Sequence, residues 1–226
     1  MSLTDDLIKQ GWLKTPEIIK AFQTVKREDF LGDGYKEMAE VDEAFPIGYG
    51  QTISQPLVVA FMLEKLGPKA GNKILDVGSG SGWTSALLAY IVSQKGILNS
   101  QFPNPKQIQN SKSQINGKVI AIEIVPELKE LGKRNAGKYG FIKQGRLEFI
   151  LGDGRKGYPQ EAPFDRILCS ASADSMPSAW EKQVKIGGKI VMPINNSICA
   201  FTKKADGSFE KEEYPGFVFV PLVEKE

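Results

Sequence analysis

Lys73-Ile74-Leu75-Asp76-Val77-Gly78-Ser79-Gly80-Ser81-Gly82 decides how this chain is read. Its first half reads as a buried strand, its second as a glycine loop, and Trp83 to Val92 as an apolar helix. Glycine lets a backbone turn sharply and lets a ligand come close, because no Cβ intervenes. A helix N-terminus just past the loop offers N–H groups and partial positive charge to an anionic ligand group. The spacing is G-x-G-x-G, whereas the dinucleotide fingerprint G-x-G-x-x-G would put its third glycine at Trp83. An indole there obstructs the close helix–strand approach that glycine serves. The expected ligand is therefore a nucleoside without a pyrophosphate, held by Gly78, Ser79, Gly80 and Gly82, with Asp76 as a site for a cationic amino group. A tight strand–helix turn with no ligand is the plain alternative, and a glycine motif alone does not separate the two.

Outward from this motif the chain alternates strand and helix. Strands are expected at Ile74–Val77, Val119–Ile122, Leu147–Ile150, Ile167–Cys169 and Lys189–Pro193, with helices at Pro126–Tyr139 and Pro177–Val184 between them. Ile198–Lys203 and Phe209–Tyr214 flank an Asp206-Gly207 turn and read as a hairpin. The pattern predicts a doubly wound, mostly parallel α/β sheet with helices on both faces and an antiparallel C-terminal hairpin at one edge. Upstream, residues 4–31 read as helical, with N-cap candidates at Thr4 and at Thr15 before Pro16. Phe45 to Pro56 reads as a loop, and Pro56 opens a helix to Leu66 with Ser54 near its cap. Residues 1–70 are thus expected to pack as a helical and loop region on a core formed by 71–226. Ser93 to Lys118, rich in Gln, Asn, Ser, Lys and Pro, exceeds the usual strand–helix link and is expected to be a mobile surface insertion.

The 226 residues suit one such α/β unit with an appendage. Lys+Arg 29 against Asp+Glu 27 leaves no broad basic footprint, so no nucleic-acid partner is expected. The first residues lack a basic start and an apolar run, and no apolar run reaches the length of a membrane span. Cys169 and Cys199 have no metal-ligand spacing and read as core residues of a reducing compartment, which makes a cytoplasmic monomer without a metal the expectation. Histidine is absent altogether, which excludes His-based triads, histidine metal sites and imidazole general bases.

Two further acidic points join the glycine loop. In doubly wound folds a carboxylate ending the second strand receives ribose hydroxyls. Glu123, followed by Ile124, stands there, and the polar insertion accounts for its long separation from the loop. Gly152-Asp153-Gly154 follows the third strand, where an aspartate could accept from an adenine amino group or simply form an Asx turn. Strand ends one to three therefore converge on one crevice. Adenosine joined to a methionine zwitterion, S-adenosylmethionine, matches that set of groups.

On these residues the chain resembles the protein-L-isoaspartate O-methyltransferase family. The most specific resemblance is Ile47-Gly48-Tyr49-Gly50-Gln51-Thr52-Ile53-Ser54-Gln55-Pro56, which is similar to the family's substrate loop. Gly152 to Tyr158, Phe164-Asp165, Gly187-Gly188-Lys189 and Phe219-Val220-Pro221-Leu222 also match. The resemblance implies methyl transfer from S-adenosylmethionine, leaving S-adenosylhomocysteine, to isoaspartyl residues of damaged proteins and peptides. It implies Ser54 and Thr52 at the reaction centre, Gln51, Ile53 and Leu222 toward the substrate, and Glu123, Ile124, Asp153 and Gly154 toward the cofactor. The chain departs from the family at Leu57, where a histidine is common, at Ala171-Ser172-Ala173, where alanines are usual, and in its long insertion. The rival readings are S-adenosylmethionine-dependent methyl transfer to another carboxylate-bearing small molecule, and a binding module with weak catalysis.

Overall fold

A computed structural model describes residues 2–94 and 117–223. Apart from its two ends, the insertion expected at 93–118 lies outside the described residues.

The expected helical stretch 4–31 divides into pieces. Helix α1 spans Leu3–Lys9 and is capped by Ser2, not Thr4, through a reciprocal bond with Asp5. Gly11, at φ 77°, turns the chain out of it. Helix α2, Pro16–Thr24, begins at the expected proline with Thr15 at the expected N-cap position, but the Thr15 hydroxyl donates to Glu64 Oε2 at 2.7 Å and makes no bond to the helix backbone. A 3-10 turn, Arg27–Phe30, and another, Asp33–Met38, follow.

The stretch expected to be a loop is a two-stranded antiparallel hairpin, β1 (Phe45–Gly48) and β2 (Gln51–Ile53). Its turn is Tyr49-Gly50, both at positive φ. Helix α3 then runs Pro56–Leu66 and ends on Gly67 in the left-handed region, where glycine is favoured. Its N-cap is Gln55, and the first-turn N–H of Leu57 donates to Asp42 Oδ1 at 2.8 Å. Ser54 is not the cap.

The main sheet has seven strands: β3 (Lys73–Val77), β4 (Lys118–Glu123), β5 (Leu147–Leu151), β6 (Phe164–Cys169), β7 (Val184–Ile194), β8 (Ser197–Lys203) and β9 (Phe209–Pro215). Their order is β5-β4-β3-β6-β7-β8-β9. The first five in this order are parallel; β8 is antiparallel to both β7 and β9, as the Asp-Gly hairpin requires. The chain leaves β3 toward β4 and β5 on one side and returns to β6 on the other. That reversal opens a crevice at the carboxyl ends of β3 and its neighbours.

Helix α4 (Trp83–Ser93) and helix α5 (Pro126–Gly137) pack with α2 and α3 on one face, around Ile74, Val119, Ala121 and Leu168. The opposite face, around Leu75, Ile120, Ile167 and Ile190, is covered by Trp180 of the short helix α6 (Ser178–Gln183) and by the loops beside it. Residues 2–70 share the first of these clusters, so they sit on the sheet without a separate core.

Candidate active site

A cavity of about 390 Å³ lies at the crevice. Its floor is the end of β3 and the glycine loop, with Glu123 to Val125 after β4, Gly152 and Gly154 after β5, and Ser170-Ala171 after β6. Its roof is the hairpin and its exit, Gln51 to Gln55, and the C-terminal segment Val218 to Val223. The hairpin sits directly on the loop: a Cβ added to Gly80 would lie 3.3 Å from Ile47 Cδ1.

The glycine loop is built differently from a phosphate cradle. The N–H groups of Gly78 and Ser79 donate to Ile122 O, that of Gly80 to Glu123 Oε2, and that of Gly82 to Ser79 O. These four donors are therefore engaged within the protein. What the loop offers a ligand is close approach of backbone. Gly82, at φ 84°, serves packing: a Cβ there would lie 2.7 Å from Gly132 O of α5. The close contact that a third glycine was expected to serve is made here with Gly132, not through position 83. Trp83 is buried instead against Phe22, with ring centroids 5.5 Å apart.

Glu123 is buried and holds the floor together. Its Oε2 accepts from Gly80 N at 2.8 Å, and its Oε1 accepts from Ile124 N at 2.8 Å and Val125 N at 3.1 Å. A carboxylate has about four lone-pair positions. Three are taken by these donors, which leaves one on Oε2 for a further donor in a residue that lines the cavity. Ser79 lines the same cavity, and its buried hydroxyl has no hydrogen-bond partner among the described residues.

The structure brings Gln51, Thr52, Ile53, Ser54, Gly78, Ser79, Gly80, Glu123, Ile124, Gly154 and Leu222 to this one cavity. Three expected residues do not line it. Gly82 packs on α5, as above. Asp76 is fully buried behind the loop, its Oδ2 accepting the Ser85 hydroxyl at 2.5 Å. Burial pushes the Asp76 carboxyl up to about 6; the Ser85 bond pulls it down and the Glu123 charge pushes it up. Asp153 pairs with the Arg155 side chain and caps the short turn at Gly154–Lys156, which is the Asx-turn geometry. The hydrogen bonds from Arg155 hold its carboxyl below the usual range. Between them, Gly154 passes close under the sheet end: a Cβ there would lie 2.3 Å from Val77 Cγ1.

Other lining residues lay beyond the sequence reading. Ser170 and Ala171 hold the end of β6, a position that the strand order itself would flag. The roof segment is held by Ser172, whose N–H donates to Val220 O at 2.8 Å and whose carbonyl accepts from Leu222 N at 2.7 Å. Among the described residues the Leu57 side chain is not part of the lining. Cys169 is fully buried, which pushes its thiol up to about 12 and leaves it unreactive.

Fold and cavity together define a doubly wound α/β protein with a nucleoside-type pocket under a roof of two chain segments, the second of them hydrogen-bonded to Ser172. Within that class, the model of the protein-L-isoaspartate(D-aspartate) O-methyltransferase family matches residues 1–226, and the chain belongs to that family. It is 38% identical over 223 residues to a protein-L-isoaspartate O-methyltransferase of Staphylothermus marinus, covering 97% of this chain and 91% of that one. It is 35% identical to the Methanopyrus kandleri protein of the same name, covering 99% and 91%. A solved structure named protein-L-isoaspartate O-methyltransferase superposes with a TM-score of 0.78 at 26% identity, over 97% of this chain and 64% of that chain. A Plasmodium falciparum structure attributed to the same activity, in complex with S-adenosyl-L-homocysteine, has the same fold, with a TM-score of 0.81 at 23% identity over 99% and 97%.

Proposed function

We propose that this protein methylates the free α-carboxylate of L-isoaspartyl, and also D-aspartyl, residues in damaged proteins and peptides, with S-adenosylmethionine as methyl donor. One observation carries the reading: the Gln51–Ser54 segment and the glycine loop with Glu123 face each other across a single cavity. Its volume, about 390 Å³, lies in the range of small-molecule pockets. The cofactor's groups match the residues present. The remaining lone-pair position of Glu123 suits a ribose hydroxyl, the unpartnered Ser79 hydroxyl suits a polar group, and the glycine loop lets the ligand approach the backbone closely.

When bound, the cofactor supplies an electrophilic methyl on a cationic sulfur, so that transfer to a carboxylate turns a cation and an anion into two neutral products. The chain's own residues then have to position and to exclude water. A carboxylate acceptor is ionised at neutral pH and needs no general base, in agreement with a chain without histidine. The hydrogen-bonded roof, with Phe219, Val220 and Leu222 turned to the cavity, restricts water, and a less polar site favours the neutral products. Ser54 is half-buried in the lining and makes no side-chain hydrogen bond among the described residues, so its hydroxyl is available to orient the acceptor carboxylate beside Thr52. Residues 1–70 act as the acceptor-presenting part and 71–226 as the cofactor-binding part. Among the described residues no helix is long and apolar enough to cross a membrane. The two free buried cysteines suit a cytoplasmic monomer.

The test is transfer of labelled methyl to an isoaspartyl peptide and to the same peptide with normal aspartate. Label on the isoaspartyl form alone supports the proposal. Equal transfer to both, or to neither, overturns it.

A further inference from the structure

Lys26-Arg27-Glu28-Asp29 is a run of four charged residues, yet Arg27 is 6% exposed. Among the described residues its guanidinium forms no ion pair; it is directed at backbone carbonyls. Nη1 donates to Val41 O at 2.8 Å and Ala39 O at 3.4 Å, and Nη2 donates to Glu43 O at 2.5 Å and Ser54 O at 3.3 Å. Its Cζ lies over the ring of Phe45 of the hairpin, 5.3 Å from the ring centre, and over that of Trp83 at the start of α4, 5.5 Å away. Burial pulls its pKa down to about 10, with Asp42 and Glu40 opposing, so it stays a cation at neutral pH.

Both ends of this connection are fixed. The turn that carries Arg27 is tied to the core behind α5: Asp29 accepts from the Tyr139 hydroxyl at 2.7 Å and from Lys138 Nζ at 2.9 Å, and Lys26 N donates to the same hydroxyl at 2.8 Å. On the far side of Ser54, Asp42 accepts from Gln55 Nε2 at 3.1 Å and from Leu57 N. Ser54 is therefore held from before by a carbonyl clamp and from after by a capped helix. Trp83, under the guanidinium, lines the cavity, whereas Arg27 does not.

We propose that Arg27 is a positioning residue for methyl transfer, whose guanidinium fork fixes the Ser54 backbone over the glycine loop without touching either substrate. The proposal rests on reading Gln51–Ser54 as the acceptor-facing segment. Only arginine presents several donors in a rigid plane able to reach carbonyls from two chain stretches while lying over two aromatic rings. A merely structural arginine would lower stability and leave the turnover of folded molecules alone.

The experiment compares wild type, Arg27→Met and Arg27→Lys in two readouts: hydrogen exchange of segment 41–55 and steady-state kinetics on isoaspartyl peptide. Binding of S-adenosylhomocysteine, measured by calorimetry, serves as the control on the cofactor side. In Arg27→Met, exchange in 41–55 should speed at least tenfold while β3 and β4 stay protected. The peptide kcat/KM should fall at least tenfold, with S-adenosylhomocysteine Kd within about twofold. Arg27→Lys keeps the charge and the stem, so it folds if Arg27→Met does not; it should restore stability but not loop protection or turnover. Unchanged exchange in 41–55, or full turnover in Arg27→Lys, overturns the proposal. A wild type that is inert toward isoaspartyl peptide overturns the functional reading instead, because the exchange readout does not depend on turnover.

Discussion

Replacing Glu123 with alanine tests two roles of one side chain. In the folded protein its carboxylate accepts three backbone N–H groups, from Gly80, Ile124 and Val125, at a buried position. A hydrogen bond to a charged acceptor contributes roughly 1.5–3 kcal/mol net, and water entering the cavity would recover part of that. At about 1 kcal/mol each, Glu123→Ala should lose about 3 kcal/mol of stability, or roughly 6–12 °C in Tm for a chain of this size. Glu123 lines the cavity with one lone-pair position unfilled, so a ribose hydroxyl held there as proposed would lose one charge-assisted bond. That corresponds to about a tenfold to hundredfold rise in the Kd for S-adenosylhomocysteine. Glu123→Gln separates the two effects. Its amide oxygen can keep the Ile124 and Val125 donors, but its NH2 then faces Gly80 N–H, so stability should fall by only about 1–2 kcal/mol. Urea denaturation and calorimetry read the two quantities independently. Wild-type stability in Glu123→Ala would refute the three-donor account of the loop, and wild-type affinity in that variant would remove Glu123 from the cofactor site.

Three other variants follow from the same geometry. Ser54→Ala should leave stability within about 0.5 kcal/mol, because Ser54 does not cap α3, while methyl transfer at saturating cofactor falls about tenfold for each 1.4 kcal/mol of lost orientation; full transfer would overturn its role. Asp42→Ala removes the acceptor at the first turn of α3 and should cost about 0.5–2 kcal/mol in urea denaturation, with an unaltered midpoint contradicting the cap. Asp76 has a folded pKa raised from 3.8 to about 6, so folding favours its protonated form. That effect carries no penalty below pH 3.8, builds as the unfolded chain ionises, and is complete above about pH 6, at roughly 3 kcal/mol. Asp76→Asn should therefore gain on wild type by up to that amount between pH 4 and 7; a pH-independent difference would refute the buried-acid reading.

The sheet was legible because buried parallel strands are short apolar runs bounded by glycine loops, and the chain states them plainly at Ile74–Val77 and Val119–Ile122. The β1–β2 hairpin was not. Gly48, Gly50 and Pro46 erase the alternation that marks a strand, and Tyr49 takes a positive φ that no propensity announces. The helical reading of residues 4–31 ran across Gly11 and Val25, where the chain is left-handed and extended. In the site, Glu123 and the Gln51–Ser54 segment were legible from position and resemblance. The Asx turn at Asp153 was one of its two readings; two things were not legible: that the N–H groups of Gly78, Ser79 and Gly80 are engaged within the protein, and that Asp76 turns to Ser85. Both depend on partners that the motif does not contain: the Ile122 carbonyl and the Glu123 carboxylate of the next strand, and the Ser85 hydroxyl in the first turn of α4. Arg27 was hidden for the same reason, since its partners are carbonyls and sequence does not display which carbonyls lack donors.

The central claim is that one cavity places a methyl donor against an isoaspartyl carboxylate. It is tested most directly by following the fate of the methyl group on an isoaspartyl peptide. The account predicts a base-labile ester on the α-carboxylate, releasing methanol as the peptide closes to a succinimide, with none formed on the normal aspartyl peptide. A base-stable methylated product, or equal esterification of the two peptides, would contradict it.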